Sequence, residues 1–530
     1  MKVRSDILRV YQSVHIWTGI ISGMVLFIGF YAGSLTMFKE TINQWITPPS
    51  HNLPVASALD YNQLIAKATE QHDKARQGFT LYFEQVQKPP MQWYEQGTDR
   101  GLNLDGIVQQ ASLTDHNELI TQQVKPSALA DLVDELHRTA GIPGTLGHEG
   151  LGEYILGIAS VLYFLALVSG VIFLLPTLVK SLFSFRQNKT ASRFWLDSHN
   201  AVGILSLPFH IVISLTVIVF AFHDQFYHGL EEIVYGEQPM FSRPAPAKIE
   251  YSYTNLPQVE DIQAIAKTIA PDYQFSEMAY LNLNTPRATV RLGAYNPNEL
   301  MRGPVTDYIF IQPYTGTILS STLNPADEGI WVRLVASFFA LHFGSYGGEL
   351  GRWVYFFLGI MGAFLFYSGN LLWLEKRRNK KTQQQTKNVR WLANATVGIC
   401  LGSMLAVAVT FVSAKWISLF ASQINFAYMW VYYLVFFAAV IGAFIYGAAK
   451  SAVWILNLLA LACLALPIIS LLGIIFPQSG IWPSIHLTTI GLELVALSLA
   501  GLFAFLARKT KQRYQSGEQN SIWFNTQAAG

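Results

Sequence analysis

The chain has 530 residues, of which 51% are apolar and only 13% charged, half the charged share of an ordinary globular protein. A net charge of +2, dispersed along the chain, gives nucleic acid no basic surface to bind. The two cysteines, Cys400 and Cys463, both lie in apolar runs, which excludes a disulfide scaffold, a cysteine-ligated zinc or iron–sulfur site and covalent C-x-x-C-H haem attachment. These numbers describe an α-helical polytopic membrane protein.

Stretches without Asp, Glu, Lys or Arg that exceed the ~20 residues needed to cross the hydrocarbon give eight expected spans, at 13–38, 154–177, 198–222, 353–374, 392–413, 427–448, 452–475 and 486–507. The first is too long for the apolar core of a cleaved signal peptide and is read as a retained helix. Basic residues cluster at the N-terminus (Lys2, Arg4, Arg9) and at 180–193, 375–390 and 508–513, all on one side of an eight-span chain. The positive-inside rule makes that side cytoplasmic, both termini included. The expected organisation is a first membrane helix in 1–38, an outer domain at 39–153, a second helix at 154–179 and a cytoplasmic loop at 180–197. A third helix at 198–223, a second outer domain at 224–352, a fourth helix at 353–374 and a basic loop at 375–390 follow. A four-helix extension at 391–507 and a cytoplasmic tail at 508–530 complete the chain.

Each outer segment reads as α+β. In the first, a helix at Tyr61–Gln71 precedes strands at 79–85 and 92–94. In the second, a helix at Val259–Ile269 precedes strands at 279–283 and 288–292 and a hairpin at 308–318 turning on Thr315-Gly316. Helix then antiparallel strands, twice, implies a duplication.

The duplication continues in the spans. The first opens His15-Ile-Trp-Thr-Gly-Ile-Ile-Ser22 and the third His199-Asn-Ala-Val-Gly-Ile-Leu-Ser206. The second is entered by Leu136-His137 and Leu151-Gly152-Glu153-Tyr154 and closes on Ser169-Gly170. The fourth is entered by Leu341-His342 and Leu350-Gly351-Arg352-Trp353 and closes on Ser368-Gly369. Gly152 to Gly170 and Gly351 to Gly369 are both 18 residues. A pseudo-two-fold four-helix bundle is expected, His15 facing His199 near the cytoplasmic side and His137 facing His342 near the outer side.

Paired imidazoles from facing helices are the means by which a bundle holds b-type haem. Zinc is the chemical rival, but it takes four ligands, and two histidines per layer without cysteine suit haem better. The bland alternative is a set of histidines that hydrogen-bond across helix interfaces. His148, His210 and His223 are reserve candidates for the outer pair, His210 standing about three turns beyond His199 on nearly the same face. Arg138, Arg333 and Arg352 flank the outer histidines and are candidates for haem propionates or an anionic substrate, with interface anchoring as the alternative. His486 and Glu493, seven residues apart, are expected to share a face of the last span as a quinol or proton site.

The H-x-W-x-G opening, the L-H-R before span two, the second H-x-x-x-G and the L-H-x-G before span four resemble the PepSY-associated transmembrane-helix family, iron-regulated inner-membrane proteins of bacteria. Gln312-Pro-Tyr-Thr-Gly-Thr-Ile-Leu319 is similar to the terminal hairpin of PepSY domains. The resemblance covers residues 1–378. It implies two periplasmic PepSY-like domains and two haem b groups, with His15, His137, His199 and His342 at the family's histidine positions. It also implies electrons passed outward to a ferric-siderophore complex for iron acquisition. The residues at 391–507 depart from that pattern. No G-x-G-x-x-G lies between a strand and a helix, so a quinol or a separate cytoplasmic reductase is the expected donor. A siderophore or metal transporter without redox chemistry and a PepSY-type regulator are the rival readings.

Overall fold

The computed structural model describes residues 4–49, 53–56, 59–83, 88–98, 101–147, 149–177, 191–235, 251–323, 330–378, 385–518 and 520–524. The chain divides into two compact units, one formed by Met1–Ile46, Ser127–His223 and Val354–Gly530, the other by Thr47–Pro126 and Asp224–Trp353.

Among the described residues seven helices are long and apolar enough to cross a membrane: Ser5–Thr36, Leu151–Thr177, Gly348–Lys376, Lys387–Phe420, Ile424–Tyr446, Ala448–Ile475 and Leu487–Ser516. A further apolar pair, third in chain order, Ser192–Leu205 and Leu207–Ala221, is bent by 71° at its break and makes an eighth crossing if it is one span. The continuous helix expected at 198–222 is therefore interrupted. Pro208 causes the break, because it has no N–H for the carbonyl one turn earlier and its ring collides with that turn. His210 lies beyond the bend, so it does not extend the face of His199.

The extension is built into the bundle. Leu392, Val397, Leu401, Leu456 and Phe503 share a core with Leu371 and Leu374 of span four, and Ile20 and Met24 of span one pack against it. Span five is the most enclosed of the spans. Span six turns Trp430, Leu434, Phe437 and Ile441 outward, the apolar surface that lipid covers.

The outer boundaries shift from those expected. The short helix Lys39–Ile46 and the helix Leu129–Thr139 both belong to the membrane unit. Their apolar residues, including Trp45, Ile46, Leu132 and Leu136, are buried there rather than in a separate outer domain.

The second unit is one sheet, not two domains side by side. Its strands are β1 (Phe79–Tyr82), β2 (Met91–Gln96), β3 (Ile107–Leu113), β4 (Leu119–Val124), β5 (Gln274–Leu281), β6 (Thr289–Tyr295), β7 (Asp307–Gln312) and β8 (Thr317–Ser321). The order across the sheet is β8-β7-β6-β5-β1-β2-β3-β4, with every neighbour antiparallel. Both expected helices form as read, Tyr61–Gln71 capped by Asp60, whose carboxylate accepts from the N–H groups of Asn62 and Gln63. The helices pack through Leu64, Ala68, Ile262 and Ala266 onto Leu81, Met91, Met278, Leu292 and Ile309 of the sheet. The central pairing sets Phe79 opposite Tyr280 and Leu81 opposite Met278, joining the halves of the duplication. Residues 84–85 of the expected first strand lie outside the described residues. The hairpin β3–β4 was not foreseen, although Thr114-Asp-His-Asn117, with Asn117 at φ 61°, is a legible turn.

Candidate functional site

His15 and His199 stand face to face. Their ring centroids are 6.2 Å apart with ring planes at 75°. His15 Nδ1 lies 2.8 Å from the Ala166 carbonyl of span two, and a carbonyl only accepts, so that nitrogen carries the proton. His199 Nδ1 lies 3.1 Å from Ser368 Oγ of span four. Nε2 of each ring has no hydrogen-bond partner among the described residues.

The matched Ser-Gly pairs now have a physical role. A Cβ on Gly170 would sit 2.9 Å from His15 Nδ1, and one on Gly369 would sit 3.5 Å from His199 Cε1. Gly170 lets the His15 ring of span one lie against span two, whereas at Gly369 the contact with His199 is an ordinary one.

Two imidazoles bound through Nε2 to one metal ion at roughly 2 Å each place their ring centroids about 6 Å apart. The separation of His15 and His199 fits that value. Among the described residues no third His, Cys, Asp or Glu side chain joins the pair at metal-ligating distance. The pair therefore suits a metal whose other ligands are not protein, and tetrahedral zinc does not fit. Sequence reasoning missed Lys376, at the end of span four, whose charge is felt at both rings. Arg377 beside it lies over Trp17, 5.9 Å from the ring centroid. The run Lys376-Arg377-Arg378 was the available signal, and it was read only for topology.

His137 is half-buried in the last turn of Leu129–Thr139, its Nδ1 2.8 Å from the Gly29 carbonyl of span one. Gly33 provides room for this ring, since a Cβ there would come within 2.6 Å of Nδ1. In the other unit, His342 occupies the last turn of Ile330–Phe343, its ring edge-on to Phe343.

The reserve histidines divide. His210 is wholly buried among Phe30, Tyr163 and Phe209, and neither ring nitrogen has a partner among the described residues. His223, just past the third span, sits 2.7 Å from the Phe220 carbonyl through Nδ1 and 3.8 Å from Glu149 through Nε2. His148 lies outside the described residues.

The arginines are placed less specifically. Arg138 pairs with Glu135 at 2.8 Å and Glu153 at 3.4 Å. Burial alone would lower its pKa, but Asp134, Glu135 and Glu153 outweigh it and raise it. Arg352 pairs with Glu349 at 2.6 Å, and Arg333 is exposed.

Glu493 and His486 do not share a helix face. The last helix begins at Leu487, and His486 precedes it in an extended conformation. Glu493 Oε1 instead accepts from Trp45 Nε1 at 2.9 Å, from Ser484 Oγ at 2.5 Å and from Ser470 Oγ. Wholly buried Lys415 donates to Ser470 Oγ at 3.1 Å and to the Trp482 carbonyl at 2.9 Å, with its ammonium 4.5 Å from the Trp45 ring centroid. Sequence reading noticed one end of this network and missed the lysine, which stands five residues before the end of an apolar span.

Helices of this length around a histidine pair inside the bundle, in one chain with an α+β sheet unit, define a multi-pass membrane protein with a candidate metal or cofactor centre. The family model for the PepSY-associated TM region matches residues 12–376, and the chain belongs to that family. No curated protein matches the chain. The extension at 391–507 lies beyond the matched region.

Proposed function

We propose that this protein is a haem b oxidoreductase of the bacterial inner membrane, both termini cytoplasmic, that delivers electrons to a ferric complex outside, with siderophore-held iron as the substrate class. The observation supporting this reading is the His15–His199 pair, spaced for one metal and oriented from behind by Ala166 and Ser368. When bound, haem b supplies reversible one-electron exchange at its iron. His15 and His199 would hold it. Their Nδ1 contacts fix ring rotation and, at His15, the tautomer, which is how supporting residues tune ligand strength. Lys376 offers a positive charge to the propionates. Reduction serves iron release because ferrous iron is softer and less charged, so hard oxygen ligands hold it less tightly.

His137, whose ring is held against span one, is a proposed ligand of a second haem. The electron donor is a quinol or a separate cytoplasmic reductase, since no nucleotide-binding segment accompanies the spans.

The test is a reduced-minus-oxidised absorption spectrum of the purified protein with a pyridine haemochrome count. Two haems per chain, one lost in His15→Ala and in His199→Ala, support the proposal. One haem lost in those variants keeps the inner pair and removes the second site. No haem in protein made with ample haem supply ends the reductase reading and favours the transporter.

A further inference from the structure

The helix that carries His137 has eleven residues, too few to hold its own shape in water. Its position depends on what grips its ends, where backbone groups lack partners within the helix. Ala128, the residue before its first turn, has no side chain able to cap. Asn425, buried at the start of span six, supplies the missing acceptor: its Oδ1 takes the Ala128 N–H at 2.8 Å. Tyr428, one turn further along span six, has its hydroxyl 3.4 Å from Ser127 Oγ.

The other end is gripped by the same span. Beyond Thr139 the chain turns through Ala140 at φ 53° and Gly141 at φ 74°. Tyr433 donates its hydroxyl proton to the Gly141 carbonyl at 2.9 Å. The short helix that follows span one holds the helix along its length, where Lys39 reaches Asp131 at 2.8 Å and Asp134 at 3.1 Å. Burial would lower the Lys39 pKa, but the two carboxylates outweigh it and hold the ammonium above its usual value.

We propose that Asn425 and Tyr433 are positioning residues for His137, and that the four-span extension serves to fix the depth and rotation of this histidine. The inference rests on the reading of His137 as a haem ligand. It assigns a role to residues that lie outside the family match and carry no site of their own in that reading. Span one presents the Gly29 carbonyl to His137 Nδ1, but the clasps on both helix ends come from span six. Loosening them leaves a ring free to swing against a fixed carbonyl.

The experiment uses the full-length protein in nanodiscs, with Asn425→Ala, Tyr433→Phe and His137→Ala compared with the parent. Tyr433→Phe removes one hydroxyl and keeps the ring, so it reports even if Asn425→Ala folds poorly. Amide hydrogen exchange across 129–139 should rise about tenfold in each clasp variant, the effect of losing one hydrogen bond worth ~1.4 kcal/mol. In haem-loaded protein, the low-spin electron paramagnetic resonance signal lost in His137→Ala should shift in both clasp variants, with the His15/His199 signal unchanged. Parent-like exchange and signals overturn the inference. Faster exchange with no shifted signal also overturns it, since span six would then brace the helix without consequence for the histidine. If His137→Ala removes no haem, the His137 reading falls and this inference with it, while the His15/His199 assignment stands on its own variants.

Discussion

Two polar clusters, one at the His15 end of span one and one around Trp45 of the short helix that follows it, are built on opposite plans. At the His15 end, each imidazole has one nitrogen anchored to a neighbouring helix, and the other nitrogen has no hydrogen-bond partner among the described residues. At the Trp45 end, the polar groups serve one another: lysine to serine, serine and indole to carboxylate, a second indole to a backbone carbonyl. A closed network holds helices together. A half-satisfied pair, with a glycine cleared behind it, is prepared for something else. Polar residues within spans are all expensive, and their remaining hydrogen-bonding capacity distinguishes fastening from function.

The largest effect that can test this contrast is at Lys415. Replacing it with Met removes the charge-assisted hydrogen bonds to Ser470 Oγ and the Trp482 carbonyl, worth about 1.5–3 kcal/mol each, and takes the cation from the neighbourhood of Glu493. Lys415→Met should lower the unfolding midpoint in detergent sharply, and Lys415→Met with Glu493→Gln should recover much of the loss. A single variant as stable as the parent would refute the fastening role.

His15→Ala should do the reverse, abolishing haem at the pair while moving the unfolding midpoint of haem-free protein by much less than Lys415→Met does. Haem-free His15→Ala that unfolds as readily as Lys415→Met would make the pair a fastener too.

The glycines give a finer test. At Gly170 an added methyl meets His15 Nδ1 at 2.9 Å, and at Gly369 it meets His199 at an ordinary 3.5 Å. Gly170→Ala should weaken haem retention severalfold, measured by transfer to apomyoglobin, whereas Gly369→Ala should hold haem like the parent.

The smallest effect is at Trp45. Trp45→Phe loses one hydrogen bond to Glu493 and should cost about 1–2 kcal/mol by thermal unfolding, with haem content unchanged.

The sequence made much of this legible, for particular reasons. Seven crossings, and an eighth if the bent pair is one span, could be counted because charge-free runs have a physical minimum length. His15 and His199 could be paired because a duplication puts equivalent residues on symmetry-related helices. The break at Pro208 was missed because the apolar run continues through it, and hydropathy carries no information about helix direction. His486 and Glu493 were placed on one face by a spacing rule that holds only inside a helix, and the helix starts one residue after His486. Asn425 and Tyr433 gave no signal because a single polar atom aimed at another helix's end has no period. The join between β1 and β5 was hidden for the same reason, since each half reads as a complete α+β unit by itself.

That join has a consequence for how the protein is made. Phe79 and Tyr280 are partners in the sheet, yet about two hundred residues and two spans separate them. At a synthesis rate of ~5–20 residues per second, β1 exists for roughly ten to forty seconds before β5 emerges to cover it. During that interval the first half of the sheet shows an uncovered strand edge, the surface through which chains pair with the wrong neighbour. Until the second half arrives, the nascent chain is a substrate for any chaperone that recognises open β edges.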